Sequence, residues 1–308
     1  MHSFGGTWSA ISNHYMVEHE NNAPKEKVVS KQLIYTCLIA AIAVVMNATV
    51  YAQDGNESLD VLERSKASGK LIACADPYDF PYSSRNANPP GFDVDILREI
   101  AKLGGMQLEM YWADTGTRGG MSRALRNSMM KGRCDLFAGV ADSGDDDILM
   151  GQLAFTNPYL GTGYILVVQN KAKGMKSVDE VAAANLRIGV QMSTPIDAYL
   201  FEKGIARELY ADNPRVMRGM ANGEIDAALV WSTVLTTAKR KYPDASFIMA
   251  DGYVPVAGQQ WDLKYLVRKR DKSMMKFINE GIRELLDNGK IKEIVESYGV
   301  PFYPPFAS

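Results

Sequence analysis

An aromatic turn is the first stretch whose side chains could bind a ligand. Residues 71–75 are continuously apolar and are followed by Asp76 and a proline, which disfavours helix at this point. Such a run predicts a buried strand, and Tyr78, Phe80 and Tyr82 come after its carboxyl end. Because ligands of open α/β sheets bind at that edge, we expect the turn to form one side of a ligand cleft or docking surface. The alternative is an ordinary loop whose aromatic side chains pack inward.

Histidine is confined to the front of the chain, at His2, His14 and His19. Residues 1–52 contain a basic segment, an apolar run and a small residue, Ala52, at the expected cleavage position. This order predicts a secretory signal peptide; a retained membrane anchor is the alternative, although the run is short for a span. The mature chain then has no histidine, which excludes Ser-His-Asp and Cys-His catalysis and His-ligated metals. We expect a periplasmic, non-enzymatic protein with no cofactor and no stable membrane insertion after cleavage.

Two cysteines, Cys74 and Cys134, remain in the predicted mature chain. An even number of cysteines in an exported protein favours a disulfide, and two buried free thiols are the alternative. The formal net charge of the chain is −2, and no basic face indicates nucleic-acid binding.

Carboxylates cluster at two places without the spacing of a known metal site. Asp142 and residues 145–147 place four carboxylates in one short loop, where a hard cation is conceivable, but the EF-hand spacing is absent. Asp93 and Asp95 fall in the first turn of a predicted helix, where negative charge favours the helix dipole. We therefore expect a solvated acidic loop, a capping role for the helix carboxylates, and no metal.

Two series of alternating strands and helices must position these side chains. Strands are predicted at residues 71–75, 108–112 and 134–140, and the helices between them favour a parallel sheet with Trp112 at the end of its second strand. After a stretch rich in proline and glycine, a second series follows.

In the second series, strands are predicted at residues 186–190 and 225–231, the latter ending at Trp231. Ser193 and Thr194 precede a proline, a pattern typical of a capped helix start. The free N–H groups of that start could hold an anion such as a carboxylate, and capping alone explains these residues equally well.

Five motifs in this order resemble the bacterial extracellular solute-binding proteins of family 3, over about residues 71–298. They are the strand followed by Pro81-Tyr82-Ser83, Gly91-Phe92-Asp93-Val94-Asp95, Gly132-x-Cys134-Asp135, Phe155-Thr156-x-Pro158-Tyr159 and Gly223-x-x-Asp226-Ala227. The resemblance implies the type II periplasmic-binding-protein fold, in which two α/β lobes joined by two crossover strands close on a ligand. The expected segments are the signal peptide (1–52), an extension (53–68), the first lobe (69–162), the second lobe (163–260) and a return to the first lobe (261–308).

Two departures from that family concern the ligand. Amino-acid-binding members carry an arginine shortly before the Phe-Ser/Thr-x-Pro-Tyr motif and an aspartate at the end of the G-x-x-D-A strand. Here residues 147–150 contain no arginine, and Trp231 stands at the strand end. Because both charged groups would make charge-assisted bonds to an α-amino acid, their loss speaks against ordinary amino-acid capture.

A narrower resemblance accommodates these departures. The residues that carry it are Cys74-Ala75-Asp76-Pro77, Phe80-Pro81-Tyr82-Ser83, Arg118-Gly119, Arg133-Cys134-Asp135, Val230-Trp231 and Tyr298-Gly299-Val300-Pro301. They are similar to the binding proteins of the MxaJ/XoxJ type, which are associated with quinoprotein dehydrogenases. That resemblance implies an accessory role for a periplasmic alcohol or methanol dehydrogenase that uses pyrroloquinoline quinone.

Three functions follow from the sequence. The leading hypothesis is an accessory partner of a quinoprotein dehydrogenase that binds the enzyme or a small-molecule or peptide ligand. The second is a solute receptor for an ABC importer. The third is a catalytic member of the fold, such as a dehydratase that uses carboxylates. The residues expected to bind a ligand or partner are Asp76, Tyr78, Phe80, Tyr82, Phe92, Trp112, Arg118, Asp142, Tyr159, Ser193, Thr194 and Trp231.

Overall fold

The structure is a computed structural model that describes residues 60–142 and 151–306. The predicted signal peptide and most of the acidic loop therefore lie outside the described residues. The strands are β1 (Lys70–Ala75), β2 (Tyr78–Asp79), β3 (Ser83–Ser84), β4 (Gln107–Trp112), β5 (Leu136–Ala141), β6 (Leu153–Phe155), β7 (Leu160–Val168), β8 (Ile188–Gln191), β9 (Glu208–Tyr210), β10 (Ala227–Trp231), β11 (Ile248–Met249) and β12 (Gln260–Arg268). The α-helices are α1 (Val61–Ser68), α2 (Phe92–Leu103), α3 (Gly120–Asn127), α4 (Val178–Ala183), α5 (Pro195–Glu202), α6 (Asn213–Ala221), α7 (Val234–Lys241), α8 (Lys272–Asp287) and α9 (Lys290–Ser297).

Most of these strands belong to one mixed sheet in the order β4-β1-β5-β12-β7-β10-β8-β9, with β6 beside β12 and β11 beside β7. Strand β1 is parallel to β4 and β5, and β8 is parallel to β9 and β10. The two long strands in the middle, β7 and β12, run antiparallel to their neighbours. The predicted α/β class, with two parallel series and strands that cross between them, is confirmed.

The first lobe is built on β1, and its helix α2 places the aromatic turn. Ile96, Leu97 and Ile100 of α2 are fully buried, as expected for apolar residues at helical spacing that face a sheet. Helix α2 begins directly after Gly91, whose φ is 131°. A Cβ at Gly91 would lie 2.3 Å from the carbonyl oxygen of Tyr82, so glycine is required for the helix to start against the aromatic turn.

The second lobe repeats this arrangement around β10 and β8. Helix α5 begins as predicted, since Thr194 caps it, and Asp212 caps α6, each through a side-chain oxygen that accepts a backbone N–H. The side chains of β10 are buried up to Val230, and Trp231 at the end of the strand is half-buried. The strand therefore delivers one large aromatic side chain to its carboxyl edge.

Strands β7 and β12 connect the lobes and pair with each other where they cross. The first part of β7 pairs with β12, from Leu160↔Leu263 to Gly163↔Gln260. The second part pairs with β10, from Tyr164↔Trp231 to Val168↔Ala227. Beyond its pairing with β7, strand β12 continues into the first lobe beside β5 and β6. The two crossovers expected of the fold are thus adjacent strands.

The structure pairs Cys74 with Cys134 in a disulfide whose Cα atoms lie 5.7 Å apart. The bond links β1 to the residues that precede β5, and both cysteines are buried. Within residues 60–142 and 151–306, the helices are too short or too polar to cross a membrane.

Candidate functional site

The two lobes meet at a hydrogen bond between aromatic side chains. The indole Nε1–H of Trp231, in the second lobe, donates to the hydroxyl of Tyr82, in the first lobe, over 2.9 Å. Tyr82 lies after the predicted strand and Trp231 ends β10, so the two sheet edges that the sequence singled out face each other. Burial raises the pKa of Tyr82 to about 12, so its hydroxyl is protonated and can also donate a hydrogen bond.

A second contact joins the lobes at Phe80. The guanidinium carbon of Arg240, on α7, lies 4.7 Å from the centre of the Phe80 ring. A cation over an aromatic face is attracted by the ring quadrupole. The aromatic turn of the first lobe thus touches the second lobe through two of its three aromatic residues, and the third, Tyr78, is 68% exposed.

Two aromatic residues that the sequence analysis missed complete the second side of the cleft. Tyr164 lies on β7 and Trp261 on β12, and their ring centroids lie 5.6 Å and 5.3 Å from that of Trp231. We call Tyr164, Trp231 and Trp261 the aromatic wall. The position of each residue on a strand could have identified it, because Tyr164 is paired with Trp231 and Trp261 lies at the start of the second crossover.

Asp76 shapes the aromatic turn from within. One carboxylate oxygen accepts the backbone N–H of Tyr78 at 2.7 Å, and the other accepts the backbone N–H of Thr115 at 2.6 Å and the Thr115 hydroxyl. The carboxylate therefore ties the end of β1 to the loop that follows β4. Asp76 positions the turn, and its oxygens already have partners in the protein.

Asp79, which the sequence analysis did not single out, is the carboxylate beside this turn. Desolvation raises the pKa of Asp79 to about 6, and the nearby charge of Asp76 adds to the rise. Although the residue as a whole is solvent-exposed, its carboxyl group is thus in a less polar setting than water. A positively charged group nearby would stabilise the ionised form.

Asp93 differs from the capping carboxylate that the sequence predicted. The residue is fully buried, and its Oδ1 accepts the hydroxyl of Tyr159 at 2.5 Å. Burial raises the pKa of Asp93 to about 8, and the charge of Asp79 adds to the rise. The side chain is therefore neutral at pH 7, so it does not supply the negative charge expected at the helix start.

The buried carboxyl group of Asp93 requires a glycine at position 139, on strand β5. A Cβ at Gly139 would lie 2.9 Å from Asp93 Oδ2, and Gly139 has a φ of 74°. Strands β5 and β12 shift register in this region. The irregular strand thus makes room for the buried carboxyl group.

Four more residues that were predicted to bind a ligand or partner lie in the first lobe around the aromatic turn. Phe92 is buried and packs on Tyr82 with ring centroids 5.0 Å apart, and Tyr159 is buried beside Asp93. Trp112 ends β4 and packs against the lobe's core, whereas Arg118 is exposed in the loop after it. Phe92 and Tyr159 therefore support the cleft from beneath and present no ring surface to it.

Asp142, after β5, forms an ion pair with Lys264 of β12 at 2.6 Å. In the described residues, no group of His, Cys, Asp or Glu side chains has the arrangement of a metal site. The remaining aspartates of the predicted acidic loop, residues 145–147, lie outside the described residues.

Ser193 and Thr194 occupy the start of α5 as predicted. The Thr194 hydroxyl accepts the N–H of Asp197 at 3.4 Å, and the Asp197 carboxylate accepts the N–H of Ser193 at 2.9 Å. Asp197 is also paired with Arg207 at 2.5 Å. Two N–H groups at this helix start, those of Ser193 and Asp197, are thus bound within the protein, in keeping with a capping role for these residues.

Comparisons with known proteins agree with this architecture. The model of the family "Bacterial extracellular solute-binding proteins, family 3" matches residues 71–301. A probable histidine-binding protein of Neisseria gonorrhoeae is 23% identical over 274 residues, which are 84% of this chain and 94% of the relative. The L-cystine solute receptor of Neisseria gonorrhoeae, in its unliganded open conformation, has a TM-score of 0.63 at 16% identity and covers 77% of this chain and 96% of its own. An ancestral cyclohexadienyl dehydratase has a TM-score of 0.60 at 17% identity, with coverages of 78% and 97%.

Proposed function

Because the chain belongs to family 3 of the bacterial extracellular solute-binding proteins, we propose that it captures a small solute between its two lobes and delivers it to an ABC-type importer. The observation that carries this proposal is the meeting of Tyr82 and Trp231 from opposite lobes. Two lobes that touch through side chains at facing sheet edges can enclose a ligand there. We place this function in the periplasm, in keeping with the signal peptide predicted at residues 1–52.

The solute we propose is one recognised mainly through aromatic surfaces. Trp231 stands where an amino-acid-binding member is expected to carry an aspartate. Two of the polar groups predicted to bind a ligand are already satisfied: the Asp76 carboxylate binds Thr115 and Tyr78, and the Ser193 N–H binds Asp197. An ordinary α-amino acid needs charged partners for both of its charged groups. A solute with an apolar or aromatic body is therefore the better match to the described part of the cleft.

A thermal-shift screen tests this proposal. A solute that binds only the folded protein raises its stability, by about 2.7 kcal/mol at a concentration of 100 times Kd. The panel contains L-histidine, L-cystine and a series of aromatic alcohols, aldehydes and amines. We expect at least one aromatic solute to raise the Tm more than L-histidine or L-cystine does. A panel in which every solute leaves the Tm unchanged would remove the support for a solute receptor of this class.

A second candidate is an accessory role with a quinoprotein alcohol or methanol dehydrogenase. The observation that favours it is that Tyr82, Trp231, Phe80 and Arg240 already contact one another across the cleft. A bulky solute could enter only after these contacts separate. A partner protein that docks on the outside of the two lobes would leave the contacts in place. Co-purification of the tagged protein from its native periplasm tests this role. Enrichment of a quinoprotein dehydrogenase over a tagged control would favour the accessory role over solute import.

We propose no catalytic role for the protein. The relative from Neisseria gonorrhoeae is named as a probable histidine-binding protein, whereas the likeness to the ancestral dehydratase, at 17% identity, concerns the fold. Fold alone does not carry a reaction. Among the described residues, the carboxyl groups of the aromatic turn are Asp76, which holds the turn, and Asp79. Turnover of a small substrate that Asp79→Asn abolishes would establish an enzyme instead.

A further inference from the structure

The end of the chain passes from one lobe to the other within a few residues. Tyr298, which follows α9, is anchored in the first lobe: its hydroxyl donates to Asp95 at 2.6 Å and accepts the Gly91 N–H at 3.0 Å. Val300 is buried in the core of the same lobe. Tyr303, three residues later, is buried in a core cluster of the second lobe. The tail therefore makes a third passage between the lobes, in addition to β7 and β12.

The tail is fixed to the second lobe by side-chain and backbone contacts. The Tyr303 hydroxyl donates to the backbone carbonyl of Tyr253 at 3.0 Å. Phe306 packs against the edge of the same core cluster as Tyr303. A buried aromatic side chain with its hydroxyl satisfied is a strong anchor, because it combines a large apolar area with a directed bond.

The tail also binds both crossover strands at the point where they pair. The Gly161 N–H, on β7, donates to the Tyr303 carbonyl at 2.9 Å, and the Phe306 N–H donates to Asp262 Oδ1, on β12, at 2.8 Å. Gly161 and Asp262 are themselves paired across the two strands. A Cβ at Gly161 would lie 2.7 Å from the Pro304 carbonyl oxygen and from the Phe306 ring. The tail thus lies directly on the stretch where β7 and β12 pair, residues 160–163 and 260–263, which we call the hinge.

The tail and the aromatic wall lie on opposite faces of the hinge. Successive side chains of a strand point to opposite sides of the sheet. Trp261 belongs to the aromatic wall, whereas its neighbour Asp262 binds the tail. In the same way, the Thr162 hydroxyl contacts Ser232 after β10, whereas its neighbour Gly161 contacts the tail. The tail consequently packs on the side of the hinge opposite to the side chains of Trp261 and Thr162.

From these contacts we propose that residues 299–306 form a hinge strap that restrains the opening of the two lobes. Opening rotates the lobes about β7 and β12, and the strap is attached to the first lobe at one end, to the second lobe at the other and to both crossovers between them. A rotation at the hinge must stretch, compress or release these contacts. The strap therefore stabilises the arrangement in which Tyr82 and Trp231 touch, whether or not a ligand is present, which goes beyond the proposed solute-receptor function.

Small-angle X-ray scattering of the whole protein without added solute tests the strap. Tyr303→Ala removes the second-lobe anchor, and Gly161→Ala displaces Pro304 and the Phe306 ring by steric contact while the Tyr303 side chain is kept. We expect both variants to have a larger radius of gyration than the unaltered protein, and amide exchange of residues 160–163 to be at least about threefold faster, as expected for a local opening that has become less costly.

Phe201→Ala is the matched control, because Phe201 is 70% exposed on α5 and lies outside the strap and both of its attachments. This variant should scatter like the unaltered protein. If Tyr303→Ala does not fold, as judged by circular dichroism, Gly161→Ala decides the question. A folded Gly161→Ala protein with an unchanged radius of gyration and unchanged exchange would overturn the strap. Since no solute is added, either result is independent of the proposed function.

Discussion

The indole of Trp231 and the hydroxyl of Tyr82 join the two lobes through one hydrogen bond of 2.9 Å. Each residue ends or follows a strand of its own lobe, 149 positions apart in sequence. Phe92 packs on the Tyr82 ring from beneath, and Trp261 packs on the Trp231 ring from the crossover. The bond therefore links two side chains that are each packed within their own lobe, so removing it should alter how the lobes hold together.

Tyr82→Phe should destabilise the protein modestly. The variant loses the hydrogen bond to Trp231 but keeps the ring that packs on Phe92. A hydrogen bond of this kind contributes about 1 kcal/mol. For a domain of this size such a loss lowers the Tm by roughly 2–4 °C, which a thermal unfolding scan measures. Tyr78→Phe is the control, since Tyr78 is 68% exposed and should leave the Tm unchanged. Equal Tm values for Tyr82→Phe and the unaltered protein would show that the bond adds nothing to stability.

Asp93→Asn should change how stability depends on pH. The pKa of Asp93 is about 8 in the folded protein and near its ordinary acidic value after unfolding. The stability that the neutral carboxyl group confers is therefore complete at acidic pH and is lost as the pH rises toward 8. The loss follows a slope of up to about 1.4 kcal/mol per pH unit.

Asparagine keeps an oxygen that can accept the Tyr159 hydroxyl and cannot ionise. The variant should therefore gain stability relative to the unaltered protein between pH 5 and pH 8, as measured by urea unfolding at several pH values. A difference in unfolding free energy that stays constant across this interval would contradict the neutral state of Asp93.

Reduction of the Cys74–Cys134 disulfide should destabilise the first lobe. The two cysteines are 60 residues apart, and closing a loop of that length is expected to contribute about 4 kcal/mol through the entropy of the unfolded chain. Urea unfolding with and without a reducing agent measures the loss. The double variant Cys74→Ala, Cys134→Ala is the control, because its unfolding should not respond to the reducing agent. An unaltered protein that is equally stable in both conditions would mean that the disulfide is absent.

Local pattern in the sequence was sufficient to predict much of the framework. The strand before Asp76, the capped start of α5 at Thr194 and the position of Trp231 at a strand end each depend on a few neighbouring residues, and the structure has all three. The two lobes and two crossovers came from the resemblance to a family, and the mixed sheet confirms them.

The remaining features depend on contacts between distant parts of the chain. Asp93 has the sequence context of a helix-dipole carboxylate, and only its burial against Tyr159 makes it neutral. Trp261 becomes part of the aromatic wall because β12 passes beside β7, which local periodicity does not predict. The sequence assigns residues 261–308 to the first lobe, whereas Tyr303 lies in a core cluster of the second lobe.

Isothermal titration calorimetry with the solute that raises the Tm most is the most direct test of the central claim, that the aromatic cleft is the binding site. The measurement compares the unaltered protein with Trp231→Ala and with Phe201→Ala, whose side chain is 70% exposed on α5 and lies outside the aromatic wall. We predict that Trp231→Ala weakens binding at least tenfold, a loss of about 1.4 kcal/mol or more, while Phe201→Ala binds normally. A correctly folded Trp231→Ala protein that binds the solute as tightly as the unaltered protein would contradict the account.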